Sequence, residues 1–231
     1  MSVELLNCDC MEYMATQPDN AFDLAIVDPP YGIGESGNKN NSRDSLPSKK
    51  RVCVKNPTGK GIASTKFIDK DWDKAPPKKE YFIELCRISK NQIIWGGNHL
   101  AGLINKNSPC WLVWDKENSG DFADCELAYT SFKTAVRKFS FRWNGMLQGD
   151  MKNKELRIHP TQKPVKLYQW LLDNYAQPGQ RILDTHLGSG SSAIAAHYFG
   201  CDFVGMEIDE DYYKAAKERF EKETAQLAMF V

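Results

Sequence analysis

Long apolar runs are missing from this chain. No stretch approaches the roughly 18 residues that would cross a bilayer, and the N-terminus turns acidic and polar within a few residues, too early for a secretory leader. Net charge is missing as well: 30 Lys and Arg balance 30 Asp and Glu, which excludes a uniformly basic or acidic molecule. Paired C-x-x-C spacing is absent from the seven cysteines, an odd number that argues against a disulfide framework and for a reducing cytoplasm. Cys8 and Cys10 form a C-x-C, but no His or Cys pair lies near enough in sequence to complete a zinc set, so no metal is expected. Internal repeats and low-complexity tracts are also lacking. At 231 residues the chain is long enough for one α/β domain with long loops and too short for a second.

What is present begins with Asp28-Pro29-Pro30-Tyr31, directly after the apolar run 22–27. The run reads as a buried strand, which puts an acid, two rigid prolines and an aromatic ring at a strand's carboxyl end, where open α/β sheets bind ligands. Such a tetrad suits attack by the exocyclic amino group of a nucleobase. That nitrogen is a poor nucleophile because its lone pair is delocalised into the ring. A carboxylate (Asp28) and a backbone carbonyl (Pro29) can each accept one N–H and draw the nitrogen towards tetrahedral geometry, while Tyr31 stacks on the base. The same four residues also read as a Pro-terminated strand and its turn.

A second constellation lies at 181–192. Arg181 to Asp184 is a short strand; Thr185-His186-Leu187-Gly188-Ser189-Gly190-Ser191-Ser192 follows, and then an Ala-rich helix closed by Gly200. Gly188 and Gly190 let the backbone turn sharply beside a ligand. A further strand, 202–206, delivers Glu207, whose carboxylate can hold two ribose hydroxyls. This half specifies an adenosine-containing cofactor without saying which.

Together the two halves resemble the S-adenosylmethionine-dependent DNA amino-methyltransferases over nearly the whole chain. In that family Asp-Pro-Pro-Tyr is the catalytic motif and Asp-x-x-x-Gly-x-Gly the cofactor motif. The catalytic motif comes first here, the permuted order of the family's β group. His159-Pro160-Thr161-Gln162-Lys163-Pro164 matches the linker motif that leads into cofactor binding. His186 departs from the pattern, which usually has Phe at that position.

The resemblance implies a doubly wound, mostly parallel seven-stranded Rossmann-like α/β fold whose final strand is antiparallel. It implies methyl transfer from S-adenosyl-L-methionine to the N6 amino group of a flipped-out adenine in DNA, in a restriction-modification or phage setting. Asp28, Pro29, Pro30 and Tyr31 would be catalytic. Asp9, Cys10, Asp28, Lys163, Asp184, Thr185, His186, Gly188, Ser189, Gly190, Ser191, Glu207 and Ile208 would surround the cofactor. Within that set Lys163 would sit near its carboxylate, Ile208 on its adenine face and Asp9 on its amino group. Cytosine-N4 methylation is the nearest alternative, although that subgroup more often has Ser where Asp28 stands. Methylation of RNA adenine is a second, and a nucleotide-binding regulator or oxidoreductase a third.

Charge is unevenly spread. Residues 38–66 hold eight cations against Asp44, and residues 131–166 hold nine against Asp150 and Glu155. Cations concentrated in two segments flanking the chemistry are the footprint of a phosphate-backbone binder, although solvated loops would look alike. Lys49, Lys50, Arg51, Lys55, Arg137, Lys138, Arg142 and Trp143 are the candidate contacts to double-stranded DNA. In the second segment Phe139, Phe141 and Trp143 alternate with polar groups, which suits wedges between bases or, equally, a hairpin packing its rings inward.

Periodicity predicts strands at 3–6, 22–27, 91–95, 110–115, 125–131, 181–184 and 202–206, and helices at 11–16, 78–89, 164–176, 191–199 and 210–224. The chain is read as a single domain, 1–231, with a basic insertion at 32–77 and a candidate target-recognition insertion at 132–160. The tail Gln226-Leu227-Ala228-Met229-Phe230 resembles the short peptide by which bacterial proteins bind the replication sliding clamp; it reads equally as a helix end packing on its own domain. The sequence admits a homodimer and specifies no interface for it.

Overall fold

A computed structural model describes residues 1–36, 70–118, 123–143 and 147–225. All strands among the described residues join one sheet. In chain order the elements are β1 (Val3–Leu6), α1 (Cys10–Thr16), β2 (Phe22–Val27), α2 (Lys79–Ile88), β3 (Ser89–Trp95), α3 (Gly97–Ile104), β4 (Trp111–Asp115), β5 (Cys125–Thr130) and β6 (Arg137–Ser140). Then come α4 (Val165–Tyr175), β7 (Arg181–Asp184), α5 (Ser191–Phe199), β8 (Asp202–Met206) and α6 (Glu210–Ala225).

Across the sheet the strands run β1-β8-β7-β2-β3-β5-β4-β6. β2 is central and apolar on both faces, as a strand covered by helices on both sides must be. Leu24 and Ile26 enter one core cluster, with Leu167, Leu171 and Phe203; Ala25 and Val27 enter the other, with Tyr81, Phe82 and Leu85. β2 pairs in parallel with β3 on one side and β7 on the other. From β7 the chain crosses over to β8, and from β2 it crosses over to β3, so the connections diverge at the β7–β2 seam. That seam is the topological switch point, and the carboxyl ends of its two strands, Val27 and Asp184, open the crevice where such sheets bind ligands.

Two expectations about the sheet are corrected. Among the described residues there are eight strands rather than seven, because 137–140 forms a parallel edge strand beside β4. The antiparallel strand is β5, inserted between β3 and β4, and not the last in the chain: β8 pairs in parallel with both neighbours. One helix, α3, was not expected from periodicity. It starts after Gly96, which adopts φ 69° as its cap.

Candidate functional site

Asp28 leaves the end of β2 with both carboxylate oxygens engaged. Oδ1 accepts from the Tyr31 hydroxyl at 2.6 Å, and Oδ2 accepts from Lys163 Nζ at 2.6 Å. Burial pushes the Asp28 carboxyl above its usual range, against the pull of Lys163. Tyr31 stacks on His99 of α3, with centroids 5.3 Å apart. Gly96 makes room for that ring: a Cβ there would fall 2.1 Å from Tyr31 Cε1, and φ 69° independently favours glycine.

The backbone that follows the motif is fastened from a distance. Asp73, only 2% exposed, accepts the amide N–H groups of Tyr31 and Gly32 on Oδ1 and of Glu35 on Oδ2, each at 2.8 Å. One carboxylate thereby fixes the path of the chain just after the reactive residues. Nothing in sequence pointed to Asp73, which lies 42 residues beyond Tyr31.

The linker motif assembles the same corner. His159 is buried between Trp72 and Tyr212, with centroids at 5.2 and 4.3 Å, and burial lowers its pKa to about 3, so it is a neutral ring there. Gln162 is buried, its amide oxygen accepting the Ile158 N–H and its backbone carbonyl the indole N–H of Trp143. Lys163 emerges 4% exposed, directed at Asp28 and at Glu126 of β5 rather than at a separate cofactor position. Burial alone would lower its pKa, but these two carboxylates outweigh it and raise it.

Beside this corner a cavity of about 500 Å³ opens between α1, α2 and the ends of β7 and β8. Asp9, Cys10, Thr185, His186, Glu207 and Ile208 line it, together with Cys8, Met11 and Tyr81. The other expected cofactor residues, Asp28, Lys163, Asp184 and Gly188 to Ser191, are not among its lining. Asp184 is buried under the glycine turn, accepting the His186 N–H at 3.0 Å and the Ser192 hydroxyl at 2.6 Å. Burial raises its pKa to about 7.

Asp9 caps α1, accepting the Met11 N–H at 2.6 Å. Glu207 accepts the Gly188 N–H at 3.0 Å and the Asp209 N–H at 2.9 Å, which leaves each oxygen a lone pair for a ligand hydroxyl. Ile208 stands 66% exposed beside it, an apolar platform at the mouth. His186 lies edge-on to Tyr81 at 5.5 Å, and burial lowers its pKa to about 4. A neutral imidazole in that setting supplies a flat ring, the property a phenylalanine would supply.

The nucleic-acid residues divide. Arg137, Lys138 and Arg142 are exposed on and after the edge strand β6, with Lys138 held at 3.1 Å from Asp115. Trp143 is corrected: it is 6% exposed, packed in the core, and its indole is bonded to the Gln162 carbonyl at 2.8 Å, so it presents no face to a base. Phe139 also turns inward, 5.4 Å from Trp170. Lys49, Lys50, Arg51 and Lys55 lie outside the described residues, as does the tail Gln226–Phe230. Among the described residues no helix is long and apolar enough to cross a membrane.

Comparison with known proteins agrees with this geometry. A family model described as DNA methylase matches residues 105–218. The Type II methyltransferase M2.DpnII of Streptococcus pneumoniae is 22% identical, with 95% of this chain and 90% of the relative aligned. The Type II methyltransferase M.HinfI of Haemophilus influenzae is 24% identical, over 93% of this chain and 67% of the relative. Among solved structures, an M1.HpyAVI–SAM complex superposes with a TM-score of 0.55 at 17% identity, covering 94% of this chain and all of that one. At that identity the superposition establishes the fold.

Proposed function

We propose that the chain is a DNA methylase that transfers a methyl group from S-adenosyl-L-methionine to the N6 amino group of an adenine flipped out of double-stranded DNA, a reading supported by the family model over residues 105–218 and by the two Type II methyltransferase relatives. The observation that carries the proposal is the buried Asp28–Tyr31 pair at the end of β2 beside the cavity of about 500 Å³ at the ends of β7 and β8. The cavity's residues fit the cofactor. Glu207 offers lone pairs to two ribose hydroxyls, Ile208 an apolar face to the adenine, and Asp9 a carboxylate to its amino group.

When bound, the cofactor supplies an electrophilic methyl group, whose carbon–sulfur bond breaks as the amino nitrogen's lone pair bonds to carbon. What the chain contributes is position and proton acceptance. The target base reaches the crevice only after leaving the duplex stack. Tyr31 covers one face of the base, and the Pro29 carbonyl and Asp28 each accept an amino N–H, which localises the lone pair on nitrogen. Asp28, whose basicity burial has raised, then takes the surplus proton. Holding the amine in near-attack geometry supplies most of the acceleration, and no covalent enzyme intermediate is needed.

Digestion of DNA methylated by the purified protein is expected to yield N6-methyladenine and no N4-methylcytosine by mass spectrometry. N4-methylcytosine instead would reassign the base and leave the family and the fold standing.

DNA contact is assigned to the basic segments. If Lys49, Lys50, Arg51 and Lys55 join Arg137, Lys138 and Arg142 on phosphates, affinity should fall steeply with salt. Replacing Lys49, Lys50 and Arg51 together by Gln should flatten that slope without changing cofactor affinity; an unaltered slope returns the cluster to plain solvated surface. The tail is assigned to a sliding clamp, with Leu227, Met229 and Phe230 entering an apolar pocket. Replacing Leu227 and Phe230 by Ala should abolish clamp retention in a pull-down and spare methylation of free DNA. Loss of both, or no retention by the parent, places the tail on its own domain. A homodimer would appear as twice the chain mass in sedimentation; a single-chain mass excludes it.

A further inference from the structure

Asp28 belongs to a buried line of alternating charge. Lys163 Nζ lies 2.6 Å from Asp28 Oδ2 and 3.1 Å from Glu126 Oε2. The other oxygen of Glu126 is paired with Lys116, whose ammonium stands 5.0 Å from the Trp114 ring. All four side chains are mostly buried, with 4 to 22% exposure. Two cations and two carboxylates leave the line neutral. Only its first member, Asp28, belongs to the catalytic motif.

This arrangement answers a difficulty in the resting site. Tyr31 holds Oδ1 of Asp28 and Lys163 holds Oδ2, so an amino group arriving at Oδ2 meets an ammonium already in place. Moving Lys163 away from a lone carboxylate would strand a buried ammonium, which is strongly unfavourable. A cation held against the attacking nitrogen also opposes the positive charge that develops there as the methyl group arrives. A second carboxylate already within 3.1 Å removes both obstacles.

Resting on the methyl-transfer reading above, we propose that Glu126 is a positioning residue for the reaction, which receives Lys163 when the amino group of the target base takes its place on Asp28. Lys116 in turn holds Glu126 in place and compensates its charge. No bond is made or broken in this exchange; one ammonium changes its nearer carboxylate. Glu126 suits the task because it stays ionised: burial would raise its pKa, but Lys116 and Lys163 together hold it at about 2.

Glu126→Gln tests the inference. With saturating DNA and cofactor, turnover should fall about tenfold or more, while cofactor affinity measured by calorimetry stays within about twofold. Removing the Glu126 charge also makes Asp28 easier to ionise, so the acid limb of the pH–turnover profile should move to lower pH. Carbon-13 NMR of the carboxyl groups in cofactor-free protein should show Asp28 titrating lower by the same displacement, independently of activity. Glu126→Asp restores the charge and should recover much of the turnover.

Turnover within twofold of the parent, or an acid limb that does not move, overturns the proposal. So does a Glu126→Asp protein as inactive as Glu126→Gln, including the case in which Glu126→Gln does not fold. Failure of the adenine assignment is separable, because it appears in the parent's product before any variant is compared.

Discussion

Asp28→Ala is expected to abolish methyl transfer, by about a thousandfold or more in turnover, while the fold and the cofactor cavity survive. The loss is large because the carboxylate has two tasks in one step: it localises the lone pair of the attacking nitrogen and accepts its surplus proton. Removing a single preorganised electrostatic partner commonly costs about 10²–10³ in rate. Survival of the fold follows from Glu126. Truncating one member of a buried ion pair ordinarily strands its partner, but Lys163 retains a carboxylate at 3.1 Å. Asp28 is also absent from the lining of the cavity, so calorimetry should find cofactor affinity nearly unchanged. A protein that keeps even a tenth of its turnover would remove Asp28 from the reaction.

The central strands were legible because their environment is uniform. β2 and β7 are buried on both faces and therefore read as continuous apolar runs ending in Asp28 and Asp184. The glycine turn after β7 was legible because Gly188 and Gly190 take φ 52° and 73°, which few other residues accept. The misses have physical causes. β6 is an edge strand, and its Arg137 and Lys138 are the charges that keep an edge from pairing further; they also erase the apolar pattern. α3 begins at Gly96-Gly97, poor helix formers that serve here to admit Tyr31 and to bring the helix close to β5.

The site was legible where one motif carried it and illegible where partners came from afar. Asp73 and Glu126 reach Tyr31 and Lys163 only through tertiary packing, and each looks in sequence like an ordinary surface acid. Trp143 was misread for a related reason. Alternating aromatic and polar residues do not reveal which way the rings face, and the Gln162 carbonyl that decides it lies 19 residues later.

Asp184→Asn is expected to stabilise the cofactor-free protein above pH 7, and the pH dependence of that gain is diagnostic. Asp184 is 1% exposed, and burial lifts its pKa from 3.8 to about 7. Between those values the folded chain retains a proton that the unfolded chain has already released. Stability attributable to this group is therefore fully present below about pH 4, falls as pH rises towards 7 and stays low above it. At about 1.4 kcal/mol per unit of pKa difference, the penalty at pH 8 is on the order of a few kcal/mol. Asparagine has no proton to lose. Its amide oxygen can still accept the His186 N–H, and its amide N–H₂ can donate to the Ser192 oxygen, so both contacts of the turn persist. Thermal midpoints of the two proteins should nearly coincide at pH 4 and separate steadily up to pH 7, with the variant higher. Cofactor affinity should move the other way, because the buried charge beneath the glycine turn lies next to the site of a cationic ligand, and a gain in stability at such a position is commonly set against function. Midpoints that run parallel across the whole range would mean that Asp184 is ionised at no cost, and the acid would then owe its place in the turn to hydrogen bonding alone.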